Sequence, residues 1–224
     1  MSTSYRAPFV GIGTGRCGTT SLAYIIDGCR NVKATHERWS LLWYGVDDRV
    51  GDMIRDFRES SKNGVLVGDV GQSIGRNVGH LRASFPDLKV ICLHRPRDEV
   101  IKSFHDYGWQ KLRPDDKRAW MDKCYETKDS FVARSIKCFP VIDGYTVDQA
   151  CGFYWDYYEA MMADIKHPVF HIQTDELNDD SKIHLMFDFL EIPDADRNLI
   201  HKRKHWTKEQ VEAFKKEASR VTTT

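Results

Sequence analysis

Phe9-Val10-Gly11-Ile12-Gly13-Thr14-Gly15-Arg16-Cys17-Gly18-Thr19-Thr20-Ser21 joins an apolar start, a glycine-rich turn and the first turn of a helix in one run. Pro8-Phe9-Val10 enters the turn as a strand, and Leu22, Ala23, Ile25 and Ile26 continue the helical pattern until Gly28. Strand, glycine loop and helix is the arrangement that wraps backbone N–H groups around a phosphate and aims a helix N-terminus at it. Hydroxyls at Thr19, Thr20 and Ser21 add side-chain donors for the same anion. The run nearly fits G-x-x-x-x-G-K-[ST], with Gly13, Gly18 and Thr20 in register, but Thr19 stands where the lysine belongs. Arg16 is the only cation in the loop. An ATP-splitting site uses that lysine on the β/γ-phosphates and the next hydroxyl on Mg²⁺, so it would lack its main charge here. A ligand-free glycine hairpin is the alternative, and the flanking strand and helix speak against it.

The rest of the chain alternates strand and helix. Asn31 to Thr35 forms a short second strand ending at His36-Glu37, followed by an aromatic helical segment from Arg38 to Tyr44. An amphipathic helix covers Asp47 to Glu59, with Val50, Ile54 and Phe57 at helical spacing. Gly64 to Val70 reads as a buried third strand, Asn77 to Ser84 as a short helix, and Lys89 to His94 as a fourth strand. This alternation implies an α/β fold with a parallel sheet of about five strands and helices on both faces. Ligands of such sheets lie beyond the carboxyl ends of the strands. Three stretches then point to one crevice: the glycine loop, His36-Glu37 and Arg95.

Pro96, with Asp98 and Glu99 behind it, starts a helix after the fourth strand. Arg95 at the strand tip and Ser103 two turns along can both face the crevice; alternatively, Arg95 is a surface partner of Asp98 and Ser103 a plain helix residue. From Gly108 to Gly144 the pattern is irregular and polar, with Trp109, Trp120, Tyr125, Phe131 and Phe139 scattered through it. An insertion at about 108–145 is expected to lie over the crevice as a lid. Thr146-Val147-Asp148-Gln149 is a capping box, opening a helix whose Ala150, Phe153, Tyr154, Tyr157 and Met161 form a core-facing stripe. Val169 to Ile172 is expected as a last buried strand, and Ser181 to Leu190 is a further helix closed by Pro193. A basic turn at His201 to Trp206 precedes a second capping box at Thr207 that starts a terminal helix. The basic turn reads as a solvated face, with contact to an anion the alternative.

At 224 residues the chain fits a single domain over 1–224. Lys+Arg and Asp+Glu both total 33, so no bulk field advertises a nucleic-acid or anionic-membrane partner. The cysteines (17, 29, 92, 124, 138 and 151) show no C-x-x-C pair or zinc spacing, which suits reduced thiols in a reducing compartment. Without a hydrophobic leader or an apolar run of spanning length, the expectation is a soluble cytoplasmic chain.

Together these residues resemble the sulfotransferase family, which uses 3′-phosphoadenosine 5′-phosphosulfate (PAPS) as sulfuryl donor and releases PAP. Gly13 to Leu22 looks like the family's 5′-phosphosulfate loop, where a Lys or Arg stands in the place of Arg16. Leu93 to Ser103 looks like its 3′-phosphate motif, in which an arginine and a serine eight residues apart grip that phosphate, as Arg95 and Ser103 are spaced. Thr174-Asp175-Glu176-Leu177 resembles a recurrent family turn. The likeness spans roughly residues 8–190 and accounts for the absent lysine, since the family's loop lacks it and needs no metal. Gly68-Asp69-Val70-Gly71 departs from the Lys-Thr-His element of the cytosolic branch, so that branch's base is not carried over.

The resemblance implies that Gly15, Arg16, Cys17, Gly18, Thr19, Thr20 and Ser21 bind the 5′ end of the donor, and Arg95 and Ser103 the 3′-phosphate. Arg16 and the amides of 15–20 would neutralise the leaving group. Glu37 is the expected general base, because branches with a glutamate base carry it after the second strand; His36 and Asp69 follow. The alternative is that Glu37 merely pairs with Arg38 or a loop arginine and has no catalytic part. The acceptor would be a hydroxyl or amine of a small molecule or carbohydrate. The rival functions are a P-loop kinase of a small metabolite and a non-catalytic nucleotide-binding module.

Overall fold

The computed structural model describes residues 6–39, 49–62, 64–104, 146–166 and 168–199. The expected lid at about 108–145, most of the aromatic segment at 40–44, the basic turn at 201–206 and the terminal helix lie outside the described residues.

Five parallel strands form one sheet: β1 (Phe9–Gly13), β2 (Val32–His36), β3 (Leu66–Val70), β4 (Lys89–His94) and β5 (Val169–Gln173). Their spatial order is β2-β3-β1-β4-β5. The helices are α1 (Thr19–Asp27), α2 (Arg49–Ser61), α3 (Val78–Ser84), α4 (Arg97–Phe104), α5 (Val147–Ala163) and α6 (Asp180–Phe189). The strand side chains divide by parity, as a pleat demands. Phe9, Leu66, Val70, Ile91 and Leu93 pack with α1 and α6 on one face. Val10, Ile12, Val67, Val90 and Cys92 pack with α2, α3 and the end of α5 on the other. Burial on both faces explains why these strands are continuous apolar runs rather than alternating ones.

The register places Gly13 beside Leu93 and His36 beside Val70, so strands end together at one rim. The connection leaving β1 crosses the α1 face, whereas those leaving β3 and β4 on either side cross the opposite face. Divergence of this kind opens a crevice at the carboxyl end of β1. The ladder runs on past the strands into the rim: Glu37 N–H donates to Val70 O at 3.0 Å, and Thr174 N–H to His94 O at 2.8 Å.

Two expectations change. Arg38 and Trp39 lie in a bend rather than opening a helix. The expected stripe of α5 is displaced by one residue. Phe153 is 56% and Tyr157 41% exposed, while Cys151, Tyr154, Tyr158 and Met162 are buried. One residue is about 100° of helix rotation. The rotation is set by what α5 covers: Val100 and Phe104 of α4 on one side and the sheet on the other. Tyr157 instead lies under the Arg76 guanidinium, 4.7 Å from its ring centroid. The capping box at Thr146 forms as expected, with Gln149 N–H donating to Thr146 Oγ1 at 3.2 Å and Thr146 N–H to Gln149 Oε1 at 3.0 Å. Cys17, Cys29, Cys92 and Cys151 are free thiols. Among the described residues no helix is long and apolar enough to cross a membrane.

Candidate functional site

The loop between β1 and α1 is shaped by its backbone. Gly18 is the N-cap of α1 at φ 95°, ψ 19°, in the left-handed region where a side chain is strained. No side chain caps α1, and its first turn holds no acid. The first-turn N–H groups and the positive end of the helix dipole therefore meet the crevice without an internal anion. Thr174 Oγ1 fixes the loop from β5's side, 2.6 Å from Cys17 O and 2.9 Å from His94 O, with one proton to share between them. The Cys17 side chain is fully buried, and burial pushes its thiol up to about 12. It is a neutral packing group, so Cys17 serves the loop through its main chain.

Gly15 is engaged by the far end of the chain. Its N–H donates to the Tyr154 hydroxyl at 2.9 Å, and that hydroxyl donates to Gln72 Oε1 at 3.2 Å. Tyr158 OH closes the arrangement on Gln72 O at 2.6 Å. A Cβ on Gly15 would stand 2.5 Å from Gln72 Oε1, so the Gln72 amide would have to shift away from Tyr154 to admit one. The Gly15 amide is thus held by Tyr154 of α5 in this structure.

Arg16, Arg95 and Ser103 come together. Arg16 is exposed and sits at φ 69°, a left-handed conformation that costs a non-glycine residue on the order of 1 kcal/mol or more. Its Nε donates to Ser103 Oγ at 3.3 Å. Arg95 Nη1 donates to Arg16 O at 2.7 Å, and Arg95 Nε to Glu99 Oε2 at 3.0 Å. The ion-pair partner of Arg95 is therefore Glu99, one turn into α4, rather than Asp98. Trp155 Nε1 donates to Arg95 O at 2.8 Å and ties the same junction to α5. Eight residues separate Arg95 and Ser103 in sequence, and α4 turns that spacing into one surface beside the loop.

At the end of β2, Glu37 also adopts a positive φ, 52°. Its carboxylate Oε1 is 3.9 Å from His36 Nε2. His36 Nε2 lies 3.1 Å from Thr19 Oγ1 and 3.2 Å from Thr20 Oγ1, so β2 and α1 meet at the loop hydroxyls. Asp69 lies beneath, with no exposed surface. Its Oδ1 accepts from Thr35 Oγ1 at 2.8 Å and Arg38 N–H at 3.3 Å, and its Oδ2 from Trp39 N–H at 3.1 Å. Burial raises the Asp69 carboxyl above the usual range against the opposing pull of these hydrogen bonds. Its place is under the bend at Arg38 and Trp39, which follows Glu37.

Ser21 is exposed on the first turn of α1, beside the partly covered Thr20 and the buried Thr19. The sequence reading missed Tyr154, Trp155 and Gln72 as site-holding residues. The signal available was the aromatic density of α5, which it took for packing on the neighbouring face. Among the described residues no cluster of three or more His, Cys, Asp or Glu is arranged to hold a metal ion.

The chain matches no protein-family model and no curated protein sequence. Solved structures do match it. A sulfotransferase from Alicyclobacillus acidocaldarius aligns over 97% of this chain and 93% of that one, at 15% identity and TM-score 0.54. A sulfotransferase domain from the curacin biosynthetic pathway aligns over 86% and 76%, at 12% identity and TM-score 0.49. A mouse sulfotransferase complexed with PAP aligns over 99% and 70%, at 14% identity and TM-score 0.41. The five-stranded parallel architecture is a sulfotransferase fold.

Proposed function

We propose that this chain transfers a sulfuryl group from PAPS to a hydroxyl or amine of a small-molecule or carbohydrate acceptor. The observation that carries this reading is the meeting of Arg95 and Ser103 with Arg16. Two cation-and-hydroxyl sites stand side by side at the rim, one on the loop of α1 and one on the junction of β4 and α4. A donor phosphorylated at both its 3′ and 5′ positions fits that pairing, whereas ATP leaves the second site unused. The residues present suit the donor: an uncapped helix N-terminus without acids, three consecutive hydroxyls and two guanidinium groups.

The donor supplies a sulfuryl group on a phosphate leaving group. Thr19, Thr20, Ser21 and the α1 amides hold the 5′-phosphate, and Arg95 and Ser103 the 3′-phosphate. Arg16 neutralises charge that develops on the leaving phosphate; losing one such preorganised donor costs about 3–4 kcal/mol of barrier. Glu37 Oε takes the proton from the acceptor, a contribution of about 10²–10⁴ in rate.

Calorimetric titration with PAP, and separately with ATP plus Mg²⁺, tests the donor; radiolabelled PAPS with a cell extract, followed by identification of the labelled product, finds the acceptor. Binding of PAP without Mg²⁺ and transfer of label are the expected results. Tight ATP binding that requires Mg²⁺, with none for PAP, would replace this reading with a kinase.

A further inference from the structure

The geometry points to His36 as a phosphate-facing residue of the donor site, a titratable charge from β2 that takes the part of the lysine absent at position 19. This inference deepens the sulfuryl-donor reading and rests on it. His36 Nε2 touches both cradle hydroxyls, 3.1 Å from Thr19 Oγ1 and 3.2 Å from Thr20 Oγ1. The imidazole is largely covered, with 18% of its side chain exposed.

The direction of these hydrogen bonds depends on the proton at Nε2. When Nε2 is bare, a threonine hydroxyl donates to it and turns its lone pairs toward the cradle, where they repel an anion. When Nε2 carries a proton, it donates to the hydroxyl oxygen, and the hydroxyl hydrogen is released to point at a phosphate oxygen. Starting from the tautomer with its proton on Nδ1, protonation at Nε2 therefore frees the hydroxyl hydrogen that Nε2 had held to point at the anion, and from either tautomer it adds a positive charge behind Thr19 and Thr20. Charge-assisted hydrogen bonds of this kind are about twice as strong as neutral ones. An anion in the cradle must in turn favour the imidazolium, so phosphate and proton bind together.

The charged groups facing His36 agree with this. Glu37 Oε1 is 3.9 Å away on the same strand end. Asp69 on β3 is near enough for His36 to act on its titration. Arg38, the neighbouring cation, is turned away toward Asp56 at 3.3 Å. From α1 the hydroxyls of Thr19 and Thr20 approach it.

The test is calorimetric titration of the full chain with PAP at about pH 6 and about pH 8, either side of the ordinary imidazole range, in buffers of different ionisation enthalpy. The reference is His36→Gln, whose amide replaces Nε2 without titrating; His36→Asn is a second variant if the first is poorly folded. PAP phosphates titrate near pH 6 as well, at about the value of other phosphomonoesters, and subtracting the variant removes their contribution. Wild type should take up more protons per PAP bound than His36→Gln. Its affinity advantage over the variant should grow about sixfold from the higher pH to the lower, the change expected when binding raises the imidazole titration by about one pH unit from its ordinary value. Equal proton uptake and a constant affinity ratio overturn the role of His36 while leaving the donor reading intact. Failure of PAP to bind wild type at either pH overturns both.

Discussion

Tyr154→Phe tests whether the loop is held from α5. The ring should stay, because it packs edge-on against Phe104 at 5.9 Å and against Tyr158 at 4.7 Å. Only the hydroxyl goes, and with it the acceptor of Gly15 N–H and the donor to Gln72 Oε1. Each hydrogen bond is worth about 1 kcal/mol net, and a buried oxygen left without a partner adds about 1 kcal/mol more. Gln72 is 7% exposed, so its oxygen has little access to water, whereas Gly15 N–H is partly covered and recovers some hydration. The sum is about 2–3 kcal/mol of stability, read by urea unfolding with the slope unchanged. Re-fixing one freed backbone residue on binding costs about 1–2 kcal/mol, which is a rise in the PAP Kd of about 5- to 30-fold. A double-mutant cycle with Gln72→Ala should show coupling, since both changes break the same chain of contacts. A stability loss under about 0.5 kcal/mol together with unaltered PAP affinity would refute the idea that α5 holds the loop.

Glu37→Gln should lower turnover by about 10²–10⁴ and leave PAP affinity nearly unchanged; turnover near that of wild type would remove Glu37 as the base. Glu99→Gln frees Arg95 from an exposed pair worth about 0.2–1 kcal/mol, so PAP should bind slightly tighter, and weaker binding would mean that Glu99 orients Arg95 for the donor. Asp69 has a carboxyl raised by burial, so the folded state binds its proton more tightly than the unfolded state does. Its contribution is then complete below the unfolded carboxylate range, about pH 4, and declines as pH rises through the raised folded titration. The stability of wild type relative to Asp69→Asn, followed by thermal or urea unfolding, should fall from acid toward neutral pH; a gap that widens upward would show the Thr35, Arg38 and Trp39 hydrogen bonds outweighing burial.

Much of the site was written locally. Gly13, Gly18 and the three hydroxyls after it give the expectation of an anion cradle because the strand, turn and helix around them are contiguous. Arg95 and Ser103 were legible for the same reason: the helix that brings them to one surface begins between them. The capping box at Thr146 needed only its own four residues. His36 and Glu37 could be placed at the rim because they follow a strand, although nothing in their neighbourhood says that His36 reaches Thr19 and Thr20.

The sequence by itself therefore determined the five strands, the parallel α/β class and the two stretches, Gly13 to Ser21 and Arg95 to Ser103, that meet beside the loop, since each depends on periodicity or spacing within a dozen or so residues. Only the tertiary structure decided the order β2-β3-β1-β4-β5, the face of α5 that is buried, and the partners of Gly15, Cys17 and Asp69. Gly15 meets Tyr154 across 139 positions and Cys17 meets Thr174 across 157. Contacts of that span leave no period in the chain; they exist because α5 and the end of β5 are packed against a loop whose own shape was fixed nearby.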